Sequence, residues 1–435
     1  MSNNFRVNRA NIEKMELTNY DGSKKVDLTG VVQEFNLHED FMQITMYGNL
    51  VIFDSLDLIQ EFPIIGEEDF SIIFSFKSSE EDIRNTKIKR TFRVYKISDI
   101  TRGKNDKAQV YALHFISPEY FKNLSKTVPN AFTNRNVSDM ASFVYNEYIK
   151  LDDTKVFDIE KTNTRQNIII PFIYPFQAMS MLTKRAWSST NRSSNYVFYE
   201  DRDGFHFRTI ESFLNDDIKQ TYYYRQTLGH NQDASVENKD NKEPFIIRNL
   251  TVVQMRDNLK QVFNRMYNSS VDTIDIIAKK YTAASGKYDY DKNFNRIKHL
   301  EKYPIKSDVN RIINNDTMFY PTELETSNLS YASKGNIKPK YWERFLPERK
   351  SAFAQLDSIV LEVTIPGDHL RKPGDIIEFS LPSATDLKEL QGAHRYLSGR
   401  YLVTRVRHKI NNESYSTVMQ IVKESSPKKI KPLEA

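Results

Sequence analysis

The chain contains no cysteine. That removes disulfides, thiolate metal sites and cysteine nucleophiles together, and leaves the fold indifferent to an oxidising or a reducing compartment. Glycine is scarce, at 13 in 435 residues, which excludes collagen-like and low-complexity architectures. No apolar run approaches the ~20 residues needed to span a bilayer. Met1 to Lys14 is polar and lacks the apolar core of a signal peptide, so the sequence points to a cytoplasm-like compartment or to something assembled there. The excess of one charge is small, +5 from 62 basic and 57 acidic residues. Nucleic-acid binding needs clustered charge more than a slight excess. The clearest cluster, Lys423 to Lys431 with Pro427, reads as a solvated tail.

What the chain has in quantity is aromatic residues, 27 Phe and 24 Tyr, which strands and buried interfaces favour. One strand pattern occurs twice. Pro63-Ile64-Ile65-Gly66 leads into Phe70, Ile72, Phe74 and Phe76, then Phe92, Val94 and Ile97, then Val110, Tyr111, Leu113 and Phe115. Lys372-Pro373-Gly374-Asp375, about 308 positions later, leads into Ile376 to Leu381, then Tyr401 to Val406, then Tyr415 to Val422. A turn, a strand, a loop and two further strands recur in one order. A duplicated β unit is how a chain repeats an interface around an axis, which suggests scaffolding before catalysis.

At this length two or three domains are expected. Residues 1–118 read as a first antiparallel β-barrel, with Val26 to Phe35 alternating and a bend expected at Tyr47-Gly48-Asn49. Residues 119–243 read as an α+β insert. Asn136 is a candidate N-cap for a helix with Val137, Met140, Ala141, Val144 and Tyr148 on one face. Pro175 opens a second helix expected to reach Trp187. Tyr196–Tyr199 and Phe205–Phe207 flank Asp201-Arg202-Asp203-Gly204, a hairpin signal. Residues 244–425 read as a second barrel with an excursion at about 265–345, where Val271 to Tyr281 suits helix or strand, and 426–435 form a basic tail. The fold class is α+β, mostly β.

Catalytic signals are weak. None of the eight histidines forms HExxH or an HxH pair, and His114 and His408 read as half-buried strand residues. No phosphate-cradling loop or nucleophile elbow is present. Glu67-Glu68-Asp69, Glu80-Glu81-Asp82 and Asp152-Asp153 could serve glycan hydrolysis as paired carboxylates, but acid-rich turns are far commoner. The aromatic hairpin could stack on bases or sugars, but one packed sheet face is the commoner arrangement. No catalytic, cofactor-binding or metal-binding residue is assigned.

The segments KPGDIIEFSLP, LSGRYLVTRVRHKI and YSTVMQIVKES resemble the end of baseplate hub proteins from contractile-tailed bacteriophages. YPFQAMSMLTKRAWSS with NYVFYEDRDGFHFRTIESF is similar to that family's inserted α+β domain. VVQEFNLHEDFMQITMYGNLVI with FPIIGEEDFSIIF resembles its first barrel. The resemblance implies two tail-tube-like β-barrels per chain and a homotrimer whose six barrels adapt a three-fold central spike to a six-fold tail tube. It also implies a virion component without enzymatic activity or cofactor, assembled in the host cytoplasm. The implied partners are the spike, the tail tube or tube-initiator protein, and baseplate wedge and tape-measure proteins. Genome DNA would be passing cargo, and no membrane insertion is implied. A close variant is the spike-base protein of a contractile secretion system. The Phe41 to Phe53 region and the Glu80 to Lys89 loop are candidates for ring or tube contacts. The competing readings are a cell-wall glycan hydrolase of the tail tip and a single-strand nucleic-acid binder.

Overall fold

The computed structural model describes residues 10–76, 87–102, 108–224, 245–305, 322–327, 340–382 and 394–428, apart from 152, 164, 265, 276–279, 395 and 413. The first module comprises β1 (Ala10–Thr18), β2 (Lys25–Asp27), β3 (Val32–Asp40), β4 (Tyr47–Asp54), a short α1 (Leu58–Glu61), β5 (Asp69–Phe76), β6 (Ile88–Arg102) and β7 (Gln109–Ile116). Its ladder runs β3-β4-β7-β6-β5-β1-β2. The period-2 alternation produces it: Phe70, Ile72 and Phe74 point into one core with Phe35, Leu37, Phe92, Leu113 and Phe115.

The insert follows as α2 (Glu119–Ser125), β8 (Ala131–Asn136), α3 (Val137–Val144), β9 (Val156–Ile159), β10 (Arg165–Ile169), α4 (Pro175–Thr183), β11 (Tyr196–Asp201), β12 (Gly204–Thr209) and α5 (Ile210–Leu214). Val137, Met140, Ala141 and Val144 lie on the buried face of α3, as their spacing requires. Asn136 occupies the N-cap position without a side-chain bond to the helix. Pro175 starts α4, but that helix stops at Thr183, short of Trp187.

The chain then forms β13 (Gln220–Tyr224), β14 (Ile246–Ile247), β15 (Asn249–Met255) and α6 (Asn258–Phe263). An excursion carries β16 (Asn268–Asp275), β17 (Lys280–Asp289), α7 (Tyr290–Asn293), β18 (Tyr303–Pro304), β19 (Thr322–Ser327) and α8 (Lys340–Leu356). It returns as β20 (Ile359–Pro366), β21 (Ile376–Ser380), β22 (Gly399–Asn411), β23 (Tyr415–Lys423) and β24 (Ser425–Ser426). The described parts of the ambiguous Val271–Tyr281 segment, up to Asp275 and from Lys280, are strand, in the paired β16 and β17.

The two modules correspond strand for strand. The second runs β15-β20-β23-β22-β21-β13-β14, the order of the first with β1 to β7 replaced in sequence by β13, β14, β15, β20, β21, β22 and β23. All four central pairings are antiparallel in both. Gly66 and Gly374 hold φ of 89° and 94° before β5 and β21, a region open to glycine at little cost. Each is followed by the same contact. The Val94 N–H donates to the Glu68 carbonyl at 2.8 Å, and the Val403 N–H to the Asp375 carbonyl at 2.9 Å. A bulge comes next in each case, at Tyr95 in β6 and Thr404 in β22.

Both modules curl around one core each, and the two end strands of each ladder are consecutive in the chain. β2 pairs with β1 and runs on into β3, which pairs with β4. Likewise β14 pairs with β13 and runs on into β15, which pairs with β20. Aromatic contacts in the first module confirm the curl. Phe74 of β5 lies 5.8 Å from His408 of β22, although five ladder steps separate those strands and would place them about 24 Å apart in a flat sheet. A further expectation fails: Tyr47-Gly48-Asn49 is inside β4, and the bend is at 41–46. Gly48 is required for packing, since a Cβ there would sit 2.1 Å from the Asn36 carbonyl oxygen and 2.5 Å from the Phe115 ring.

Candidate functional site: the seam between the modules

The modules share one strand. The first half of β22 pairs with β21, while its second half pairs antiparallel with β3, from Arg405 opposite Asp40 to Asn411 opposite Glu34. Ile410 and Tyr415 accordingly belong to the core of the first module. Outward side chains make the seam ionic. Arg405 donates to Asp40 through Nε (2.8 Å) and Nη2 (2.7 Å), and Lys409 Nζ reaches Glu34 at 2.9 Å. On the inward side His408 is fully buried, where half-burial was expected. Its Nε2 is 3.0 Å from Glu39 Oε1 and its Nδ1 2.8 Å from the Tyr415 hydroxyl.

The β11–β12 turn of the insert locks this seam from one side. The Arg202 N–H donates to Glu39 Oε2 at 3.0 Å, its guanidinium donates to the Leu370 carbonyl, and Arg90 of β6 donates to the Arg202 carbonyl. Lys372 Nζ lies 2.7 Å from Asp203 Oδ2. His206 sits between Asp201 (2.9 Å) and Asp158 (3.3 Å). Burial opposes its charge, but those two carboxylates prevail and push its pKa up to about 9.

A second buried cluster joins the same hairpin to the 41–46 bend. Lys155 Nζ lies 2.6 Å from both Glu119 and Glu200, and Glu200 accepts the Met46 N–H at 3.0 Å. Burial works against the Lys155 ammonium, yet the two carboxylates hold its pKa above the ordinary lysine value. The cluster is structural: burial and the neighbouring Glu200 carboxylate raise the pKa of Glu119 above the ordinary value, which favours its neutral form beside one ammonium. Acids at Asp201 and Glu200 in an otherwise apolar hairpin were the available sequence signal for it. The alternation of Arg405, Arg407 and Lys409 with Val406, His408 and Ile410 was another. Neither specifies a partner strand.

Of the expected contact regions, Phe41 is buried against Tyr199 at 6.2 Å, and β4 has both edges occupied, by β3 and β7. Met42 and Phe53 remain exposed. In the Glu80–Lys89 loop, 80–86 lie outside the described residues, as do Glu80-Glu81-Asp82, Asp152 and most of the basic tail. Glu67-Glu68-Asp69 forms a turn in which Glu68 accepts the N–H groups of Ile65 (2.6 Å) and Gly66 (3.0 Å). The aromatic hairpin turns Phe198, Phe205 and Phe207 into the core of the insert. His114 is half-buried, with Nε2 2.8 Å from the Ser98 hydroxyl. An open groove of about 600 Å³ lies beside the 41–46 bend, lined by Ile44, Tyr120, Leu124, Tyr174, Met181 and Lys184. Among the described residues no helix is long and apolar enough to cross a membrane.

No family model matches the chain. A probable baseplate hub protein of Vibrio phage KVP40 is 19% identical over 391 residues, covering 87% of this chain and 86% of that protein. The chain is similar, over nearly its whole length, to a phage baseplate hub protein. The fold agrees. A tail protein from Neisseria meningitidis superposes with a TM-score of 0.54 at 9% identity, over 96% of this chain and 98% of that one. The 43 kDa tail protein of prophage MuSo2 from Shewanella oneidensis gives 0.54 at 9%, over 94% and 98%. The hub relationship supports a structural role in a phage tail baseplate, and the seam is then a joint between building blocks.

Proposed function

We propose that three copies of this chain close into a ring of six alternating modules, which joins a three-fold central spike to a six-fold tail tube and leaves a bore for the genome. The observation that carries this reading is the shared strand order of the two modules, down to the glycine turn and the bulge. A partner meeting that ring meets six similar lobes, while the insert and the excursion between β15 and β20 recur only three times. The internal seam supports it as well. The second module hands a strand to the first, and such a head-to-tail contact generates a closed ring when its rotation closes.

On this reading the working units are 1–118, the insert 119–243, the second module 244–425 and the tail 426–435. The partners are further copies of the chain, the spike, and the tube or tube initiator, with wedge and tape-measure proteins as further neighbours. DNA is transient cargo, and assembly takes place in the host cytoplasm. Catalysis plays no part. The test is native mass in solution, alone and with the spike, together with an end-on image of the particle. Three chains and six lobes are expected. A lone monomer that degrades peptidoglycan would replace this reading with the hydrolase.

A further inference from the structure

The seam inside the chain uses two edges, the second half of β22 and the length of β3. Strand correspondence gives each a counterpart on the opposite module: β6 for β22, and β15 for β3. The first half of β6 pairs with β5, and from Arg93 onward it pairs with β7, with register shifts at Tyr95 and again between Ser98 and Thr101. β15 pairs with β20. Among the described residues neither stretch has a strand on its other side.

The consequence is visible in the side chains. β3, whose edge is covered, is largely buried, whereas β15 exposes Val252, Val253 and Met255, with Val253 at 54%. The second half of β22 alternates buried residues, whereas Tyr95 and Ile100 of β6 are 47% and 56% exposed. The helix that continues β15 presents Leu259 and Phe263 at 85% and 86%. Bare strand edges of this length invite pairing with another chain.

We propose that Tyr95–Arg102 of β6 pairs antiparallel with Asn249–Met255 of a second copy, repeating between chains the contact that β22 and β3 make within one. This rests on the ring reading and names the surface that closes the ring. The ladders also set the register. Arg93 opposite Ile116 and Leu402 opposite Val422 are equivalent pairs ahead of the two bulges, so Ser98 opposite Ala112 takes the place of Arg407 opposite Val418. His38 pairs with Tyr47 and, through it, with Ile116, while Gln254 pairs with Val360 and, through it, with Val422. Gln254 therefore stands where His38 stands. Since Arg407 faces His38 within the chain, Ser98 faces Gln254 of the neighbour. The occupant is apolar-compatible. β15 has no charged residue to match the Asp40 and Glu34 that bind β22, and in this register Ile97, on a stretch that also carries Lys96, Asp99 and Arg102, meets Met255 instead.

The absence of native cysteine makes the test clean. Ser98→Cys mixed with Gln254→Cys is expected to give a covalent two-chain species on oxidation, and the double variant a covalent three-chain species, while neither single variant cross-links. Cysteine at Val253 or Met255 reads the neighbouring registers. Ile100→Pro, on an exposed edge, is expected to abolish the trimer and leave the monomer melting temperature within a few degrees. A native trimer that gives no cross-link at any of the three positions, or that survives Ile100→Pro, overturns the edge pairing and leaves the ring intact. A wild-type chain that never assembles, even with the spike, overturns both.

Discussion

The two modules build the same curled sheet from first strands that run in opposite directions. β1 lies antiparallel to β5, while β13 lies parallel to β21. β1 turns back into β2 through Asn19–Lys24, whereas β13 is entered from α5 of the insert. Closure requires only that the edge N–H and C=O groups be paired, and either direction provides that. The modules differ again at one connection. Between β3 and β4 it is the short 41–46 bend, and between β15 and β20 it is the whole excursion from 256 to 358. The conserved part is the ladder, and the variable parts are the ways into and out of it. This contrast allows one chain to present two similar lobes while carrying distinct attachments on each.

The comparison is broken most severely at the strand the modules share. His408→Ala leaves the buried Glu39 carboxylate without its imidazole partner, which is expected to cost about 3–5 kcal/mol. Because β22 serves both cores, urea unfolding followed by aromatic fluorescence should remain a single transition with a lowered midpoint. Two separate transitions would show that the modules stand independently.

The insert's lock on the seam can be released by pH. The His206 pKa is raised from 6.5 to about 9, so its stabilisation is complete below pH 6.5 and is lost as pH rises through 9. The difference corresponds to about 3 kcal/mol. Thermal melts across pH 6 to 10 should fall over that window, and His206→Gln should flatten the fall.

The paired glycines sharpen the comparison further. Both hold positive φ, but a Cβ at Gly374 would lie 2.8 Å from the Phe213 ring, while at Gly66 the nearest atom is 3.7 Å away. Gly66→Ala is expected to cost about 1 kcal/mol of backbone strain, and Gly374→Ala about 2–3 kcal/mol, because α5 must also move. Equal midpoints in denaturant would refute the distinction. The smallest effect belongs to Arg405→Ala. Its pair with the buried Asp40, through a half-exposed guanidinium, should contribute about 1 kcal/mol and shrink only partly in high salt, measured as a salt-dependent difference in melting temperature.

Much of the ladder was legible in the residues. Phe70, Ile72 and Phe74 alternate because they line one face. The Asp201–Gly204 turn reads as a hairpin because its glycine is free of Cβ strain, at φ 146°. Gly48 misled for a physical reason: glycine signals a turn, but it also marks close packing, and only the position of Phe115 separates the two. The Lys155 cluster was signalled only by the acids of the hairpin, because Glu119 of α2, Lys155 just ahead of β9 and Glu200 of β11 meet only in the folded chain.

Local chemistry alone therefore settled the strands, their glycine turns and the fact that the set occurs twice, since period-2 burial and positive φ are properties of short segments. Which edges join was decided by the tertiary structure. Backbone hydrogen bonds accept any strand of suitable twist, so residues as far apart as Arg405 and Asp40, separated by 365 positions, become partners only when two curled sheets are brought side by side.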